Sequence, residues 1–83
     1  MQELADPDKR VVGTKQVLRH LSDGVVEKVY VASDADESIR LRIIRACEAV
    51  EVMVEEATTM HELGLACKIQ VGAATAGVLK GIK

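Results

Sequence analysis

The chain has 83 residues, 48% of them apolar and 29% charged, with Tyr30 its single aromatic residue and a formal net charge of −2. That length sets one domain with a small core, and the apolar content excludes a disordered chain. No apolar run nears the ~20 residues of a membrane span and no charged-then-apolar leader opens the sequence. Cys47 and Cys67 lack C-x-x-C or paired-histidine spacing, which argues against a zinc site or disulfide and for a reduced, cytoplasmic setting.

Residues 1–8 read as a flexible N-terminal segment ahead of a single domain over residues 9–83. Arg10-Val11-Val12 is a short β-branched strand ending at Gly13. Thr14 then reads as the cap of a helix to about Ser22, with Val17, Leu18 and Leu21 inward and Asp23-Gly24 as its stop. Val25 to Ala32 is a strand that puts Val29 and Val31 on one face. Asp36 caps a second helix from about Glu37 to Ala49, in which Ile39, Ile43, Cys47 and Val50 recur at near-helical spacing. A strand over Val50–Glu55 follows, with Val50, Val52 and Val54 in period two. Thr59-x-x-Glu62 matches a capping box for a short third helix to about Cys67. The small apolar residues of Val71–Leu79 suit a central strand covered on both faces. The order β-α-β-α-β-α-β predicts an α/β fold, a three-layer α/β/α sandwich with a central four-stranded mixed sheet.

The modest net charge hides a segregation. Residues 1–8 carry −3, residues 9–22 carry +4 with no acid, residues 23–62 carry −6, and residues 63–83 carry +3, again with no acid. If the two acid-free segments meet in space, they form a basic face on an acidic body. The alternative is a chance fluctuation of short windows. In the first segment Lys15 and Arg19 share a helix face, Gln16 flanks them, and the helix start adds free N–H groups and a partial positive charge. Such a group can hold phosphates and read base edges; an ordinary solvated helix face is the other reading.

With no Phe or Trp, aromatic stacking platforms for single strands are excluded, so an RNA partner is expected to be folded. Lys68 to Gln70 reads as a loop in which an exposed Ile69 packs on an unstacked base beside a phosphate-binding Lys68, or as a core isoleucine beside a surface lysine. Asp34 and Asp36 form no metal or acid–base site with the residues around them, and a helix cap is the better account of Asp36. His20 and His61 have no evident partner. Cys67 is the one plausible nucleophile, without a base nearby in sequence. No enzyme, cofactor or metal is therefore expected.

Gly13-Thr14-Lys15-Gln16, Val31-Ala32-Ser33-Asp34-Ala35-Asp36, and Leu63-Gly64 through Val71-Gly72-Ala73-Ala74 occur in the order found in a known family. Over roughly residues 9–80 the chain resembles the kink-turn-binding ribosomal protein superfamily of the L-seven-Ae type, in particular its small bacterial YbxF-like branch. The resemblance implies an α/β/α sandwich that binds a sharply bent RNA duplex with tandem sheared G·A pairs beside a three-nucleotide bulge. It implies that Gly13 and Thr14 approach the RNA backbone, that Lys15 and Gln16 contact the guanines, and that Arg19 takes a basic position toward guanine or phosphate. It further implies that Asp36 lies near the flipped-out nucleotide and that Ile69, Gln70 and Val71 pack against the bulge, with Lys68 beside them. Lys15-Gln16 stands where many members have Asn-Glu, Lys68 where glycine is usual, Gln70 where glutamate is common and Glu37 where proline is frequent. The expectation is a cytoplasmic, non-enzymatic protein, monomeric when free, whose partner is kink-turn RNA in ribosomal RNA, a riboswitch or similar, and not a membrane. The competing reading is a ribosome-associated or protein–protein interaction module that uses the acidic surface of residues 37–56.

Overall fold

A computed structural model describes residues 1–81. Its elements are a short 3₁₀ turn (Gln2–Ala5), β1 (Arg10–Val12), α1 (Thr14–Ser22), β2 (Val26–Ala32), α2 (Glu37–Ala49), β3 (Met53–Thr58), α3 (Met60–Ala66) and β4 (Thr75–Leu79). The strands form one mixed sheet in the order β1-β4-β2-β3. β4 is antiparallel to both its neighbours and β2 is parallel to β3, so β1, β2 and β3 all run the same way.

The three layers follow from alternation along the strands. Val29 and Val31 of β2 face α1 and α2, packing with Val17, Leu21, Ile43 and Cys47. Tyr30 and Ala32 face the other way, toward Leu63 and Cys67 at α3. A register shift between Val26 and Lys28 turns Val26 onto the α1–α2 side as well. At the sheet centre a Cβ on Gly77 would lie 3.2 Å from Val11 Cγ1 and 3.6 Å from Val17 Cγ2, so the missing side chain lets α1 seat closely over β4.

The N-terminal segment seats Leu4, fully buried, in the α3-side core. Three expectations need correction. Thr14 is the first helical residue rather than the cap, a place taken by Gly13 at φ +103°. The third strand starts at Met53 instead of Val50. Here α2 closes with Val52 N–H bonded to the Cys47 carbonyl at 2.9 Å and Glu51 N–H to the Glu48 carbonyl at 3.3 Å, while Glu51 itself sits at φ +59°. That reversal leaves Val50 exposed, with Val52 and Val54 on the α1–α2 core. Finally, residues 71–74 are loop, not strand: Ala73 N–H bonds the Met60 carbonyl, and only the Ala74 carbonyl reaches the sheet, at Ala32 N–H.

Candidate nucleic-acid interface

Because β1, β2 and β3 are parallel, their C-terminal ends lie together, and the starts of α1, α2, α3 and β4 lie with them. Backbone bonds tie these loops: Gly13 N–H to the Thr75 carbonyl (2.9 Å), Ala32 N–H to the Ala74 carbonyl (2.8 Å), and Ala73 N–H to the Met60 carbonyl (3.0 Å). One end of the molecule thus gathers Gly13–Gln16, Ser33–Asp36 and the segment leading into β4.

The start of α1 is built for close approach. Gly13 adopts φ +103°, a conformation that side-chain-bearing residues avoid, and no side chain caps the helix. Its first-turn N–H groups and their partial positive charge therefore remain available to an anion. The Thr14 hydroxyl bonds the fully buried Thr75 hydroxyl at 2.9 Å, fixing the helix start over the first residue of β4. Lys15, Gln16 and Arg19 are all exposed. His20 Nδ1 lies 2.8 Å from the Gln16 carbonyl, which can only accept, so Nδ1 carries the proton.

Asp34 and Asp36 sit in one turn but serve different helices. Asp36 Oδ1 accepts from the Ser38 N–H (2.9 Å) and hydroxyl (2.7 Å), capping α2, and these bonds hold its carboxyl below the usual carboxylate range. Asp34 Oδ1 accepts from Met60 N–H at 2.8 Å, at the start of α3. Only half of the expected capping box forms there. Thr59 Oγ1 accepts from Glu62 N–H, whereas the Glu62 carboxylate turns to the Thr58 hydroxyl at 2.6 Å.

The α3-to-β4 loop opens at Lys68, whose φ is +58°. Its N–H bonds the Leu65 carbonyl and that of Ile69 bonds the Gly64 carbonyl, the paired bonds of a left-handed helix stop. Ile69 is half-buried against the core, so the reading of an exposed isoleucine does not hold. Val71 is the outward apolar residue, 71% exposed, with Gln70 and Gly72 exposed beside it. The loop lies on α3 so tightly that a Cβ on Gly64 would be 2.2 Å from the Val71 carbonyl oxygen.

The acid-free segments do adjoin, since β1 pairs with β4, but their cations do not merge. Arg10 is turned inward, donating from Nε to the Leu4 carbonyl and from Nη2 to the Cys67 carbonyl. Lys80 N–H bonds the Val25 carbonyl at the opposite end of β4 from Thr75, about 17 Å of strand away. Lys83 lies outside the described residues. Of the cations in these two segments, Lys15 is exposed at the gathered end and Arg19 one turn along α1, while Lys68 is exposed past the far end of α3.

Thr75 escaped notice in the sequence as part of this end, as did the contacts by which Gly64 and Arg10 hold the α3-to-β4 loop. A signal existed for Thr75, the one polar residue within the apolar run 71–79. Burial pushes the Cys47 thiol up to about 11 and raises Cys67 too, so both stay protonated and poorly nucleophilic. Among the described residues no group of three or more His, Cys, Asp or Glu side chains can hold a metal ion, and no helix is long and apolar enough to cross a membrane.

A family model described as the ribosomal protein L7Ae/L30e/S12e/Gadd45 family matches residues 1–81. The chain belongs to this family. Among its relatives, the RNA-binding protein YbxF of Geobacillus stearothermophilus is 40% identical over 79 residues, covering 95% of this chain and 96% of that one. An RNA-binding protein of Caldanaerobacter subterraneus is 45% identical over 75 residues, covering 90% and 92%. A solved structure titled Giardia lamblia 15.5kD RNA binding protein superimposes with a TM-score of 0.88 at 28% identity, covering 96% of this chain and 68% of that one. Near-complete coverage of both bacterial chains places the match over the whole fold of this small family branch, the gathered end included.

Proposed function

We propose that the protein binds RNA and that its target is a kink-turn, which it recognises and holds in the bent state. The observation that carries this reading is the uncapped start of α1, where exposed Lys15 and Gln16 stand beside a glycine that permits close backbone approach. The names of its relatives support RNA as the ligand class.

In this reading Gly13 and Thr14 meet the sugar–phosphate backbone, while Lys15 and Gln16 reach the guanines of the G·A pairs. Lysine donates to guanine O6 and N7; glutamine both donates and accepts, as sheared pairs require. Arg19 meets guanine or phosphate farther along the groove. Val71 packs on an unstacked bulge base, Ile69 supports that loop from the core side, and Gln70 and Lys68 supply polar and phosphate contacts. Asp36 faces the flipped-out nucleotide. No catalytic step is involved, and the cytoplasm, where such RNA resides, is the setting. Since bending brings phosphates together, the protein shifts the equilibrium only by binding the bent form more tightly than the straight one.

Fluorescence transfer between dyes on the two RNA arms tests this. Adding protein should raise transfer for a kink-turn and leave a plain duplex unchanged; equal response of both would refute the reading. Lys15→Ala and Gln16→Ala should each cost about 1–3 kcal/mol of binding to the intact G·A pairs.

A further inference from the structure

Of the four cations in residues 9–22, Lys9, Lys15 and Arg19 are exposed, while Arg10 is half-buried. Its Nε donates to the Leu4 carbonyl at 3.0 Å and its Nη2 to the Cys67 carbonyl at 2.8 Å. Cys67 is the residue at which α3 ends, and Lys68, directly after it, takes the left-handed backbone that opens the loop to Val71. A carbonyl at a helix C-terminus lacks an intrahelical partner and carries partial negative charge, so a guanidinium there is doubly favoured. Two carbonyls from different segments are held by one planar fork. A lysine ammonium, a single point of charge on a flexible stem, does not reproduce that geometry. The fork also sits on β1, the strand that delivers Gly13 and the start of α1 three residues later.

We propose that Arg10 is a positioning residue for RNA recognition. It makes no RNA contact; it fixes the pivot of the 68–71 loop relative to the start of α1, and so sets how well the bulge nucleotides are engaged once the G·A pairs are read. This inference rests on the kink-turn reading above. It differs from a phosphate contact in a measurable way, because a phosphate contact is shared by any RNA and follows charge, whereas a clamp acts on bulge recognition and follows fork geometry.

The test compares wild type and Arg10→Lys, which keeps the charge and loses the fork, on a complete kink-turn and on the same duplex with its bulge nucleotides made abasic. Amide exchange in the free protein is followed at Lys68 and Ile69, whose N–H groups bond the Leu65 and Gly64 carbonyls. Arg10→Lys should hold its affinity for the abasic-bulge RNA within about twofold and lose about tenfold on the complete kink-turn, the scale of one charge-assisted hydrogen bond. Its salt slope should match wild type, and the loop amides should exchange faster. Wild-type affinity on both RNAs with unchanged exchange overturns the proposal, as does an equal loss on both RNAs. Arg10→Ala adds a second arm: a salt slope lower by about one unit would make Arg10 a phosphate contact and overturn it too. If wild type itself shows no preference for the kink-turn, the functional reading falls, while loop exchange in the free variants still decides whether the clamp exists.

Discussion

Glu51 and Lys68 hold φ angles of +59° and +58°, values at which a Cβ crowds the following carbonyl. Each follows the last turn of a helix and makes the left-handed reversal that Gly24 makes after α1 at φ +73°. Glycine at either place relieves the strain but gains freedom in the unfolded chain, and the two effects oppose each other. The strain is the larger, so Glu51→Gly and Lys68→Gly should each stabilise the fold by about 0.5–1 kcal/mol in urea titrations. Loss of stability in both would show that these backbones carry no strain. The same residues explain which helix ends could be read in the sequence. Asp23-Gly24 announced its stop, whereas a glutamate at the second reversal gave no sign of it and shifted the predicted strand by three residues, from Val50 to Met53.

At the scale of elements, α3 and the loop behind it behave as one piece. Gly64 is helical, and in a solvated helix alanine there would gain about 1 kcal/mol from propensity. Here the added Cβ would stand 2.2 Å from the Val71 carbonyl oxygen, a backbone atom that cannot swing aside. Overlap should win, with Gly64→Ala destabilising by about 1–3 kcal/mol by urea denaturation; a neutral or stabilising result would mean the loop lifts freely. The elements of the candidate site were legible where the signal was local: a β-branched strand, a glycine and a helix with Lys15, Gln16 and Arg19 in order. What closes the site was not. The Arg10–Cys67 bond spans 57 residues and the Thr14–Thr75 bond 61, separations over which a single sequence carries no pattern. Ile69 misled for a related reason, since only the path of the loop decides that Val71, two residues on, faces outward.

At the scale of the whole molecule, the charge distribution is less one-sided than the acid-free segments implied. Arg10 is engaged by carbonyls and Lys80 is at the far end of the sheet, so among the described residues of the acid-free segments Lys15, Arg19 and Lys68 are the exposed cations assigned to the proposed RNA. About three phosphate contacts give a slope of log affinity against log salt near −2 to −3. A slope steeper than about −5 would require cations from elsewhere on the surface and would refute this placement of the interface.

β4 is the last strand in chain order, yet it lies between β1 and β2. Until it enters, β1 has no partner in the sheet, the Gly13 N–H has no carbonyl to meet and the Thr14 hydroxyl has no mate. A ribosome adds about 5–20 residues per second, so β1 waits for seconds without its sheet neighbour. Without it the gathered end lacks the Thr75 contacts to Gly13 and Thr14: the strand that completes the sheet also completes this end. Whatever docks there meets only chains whose synthesis has passed β4, and timing thereby becomes a property of the topology.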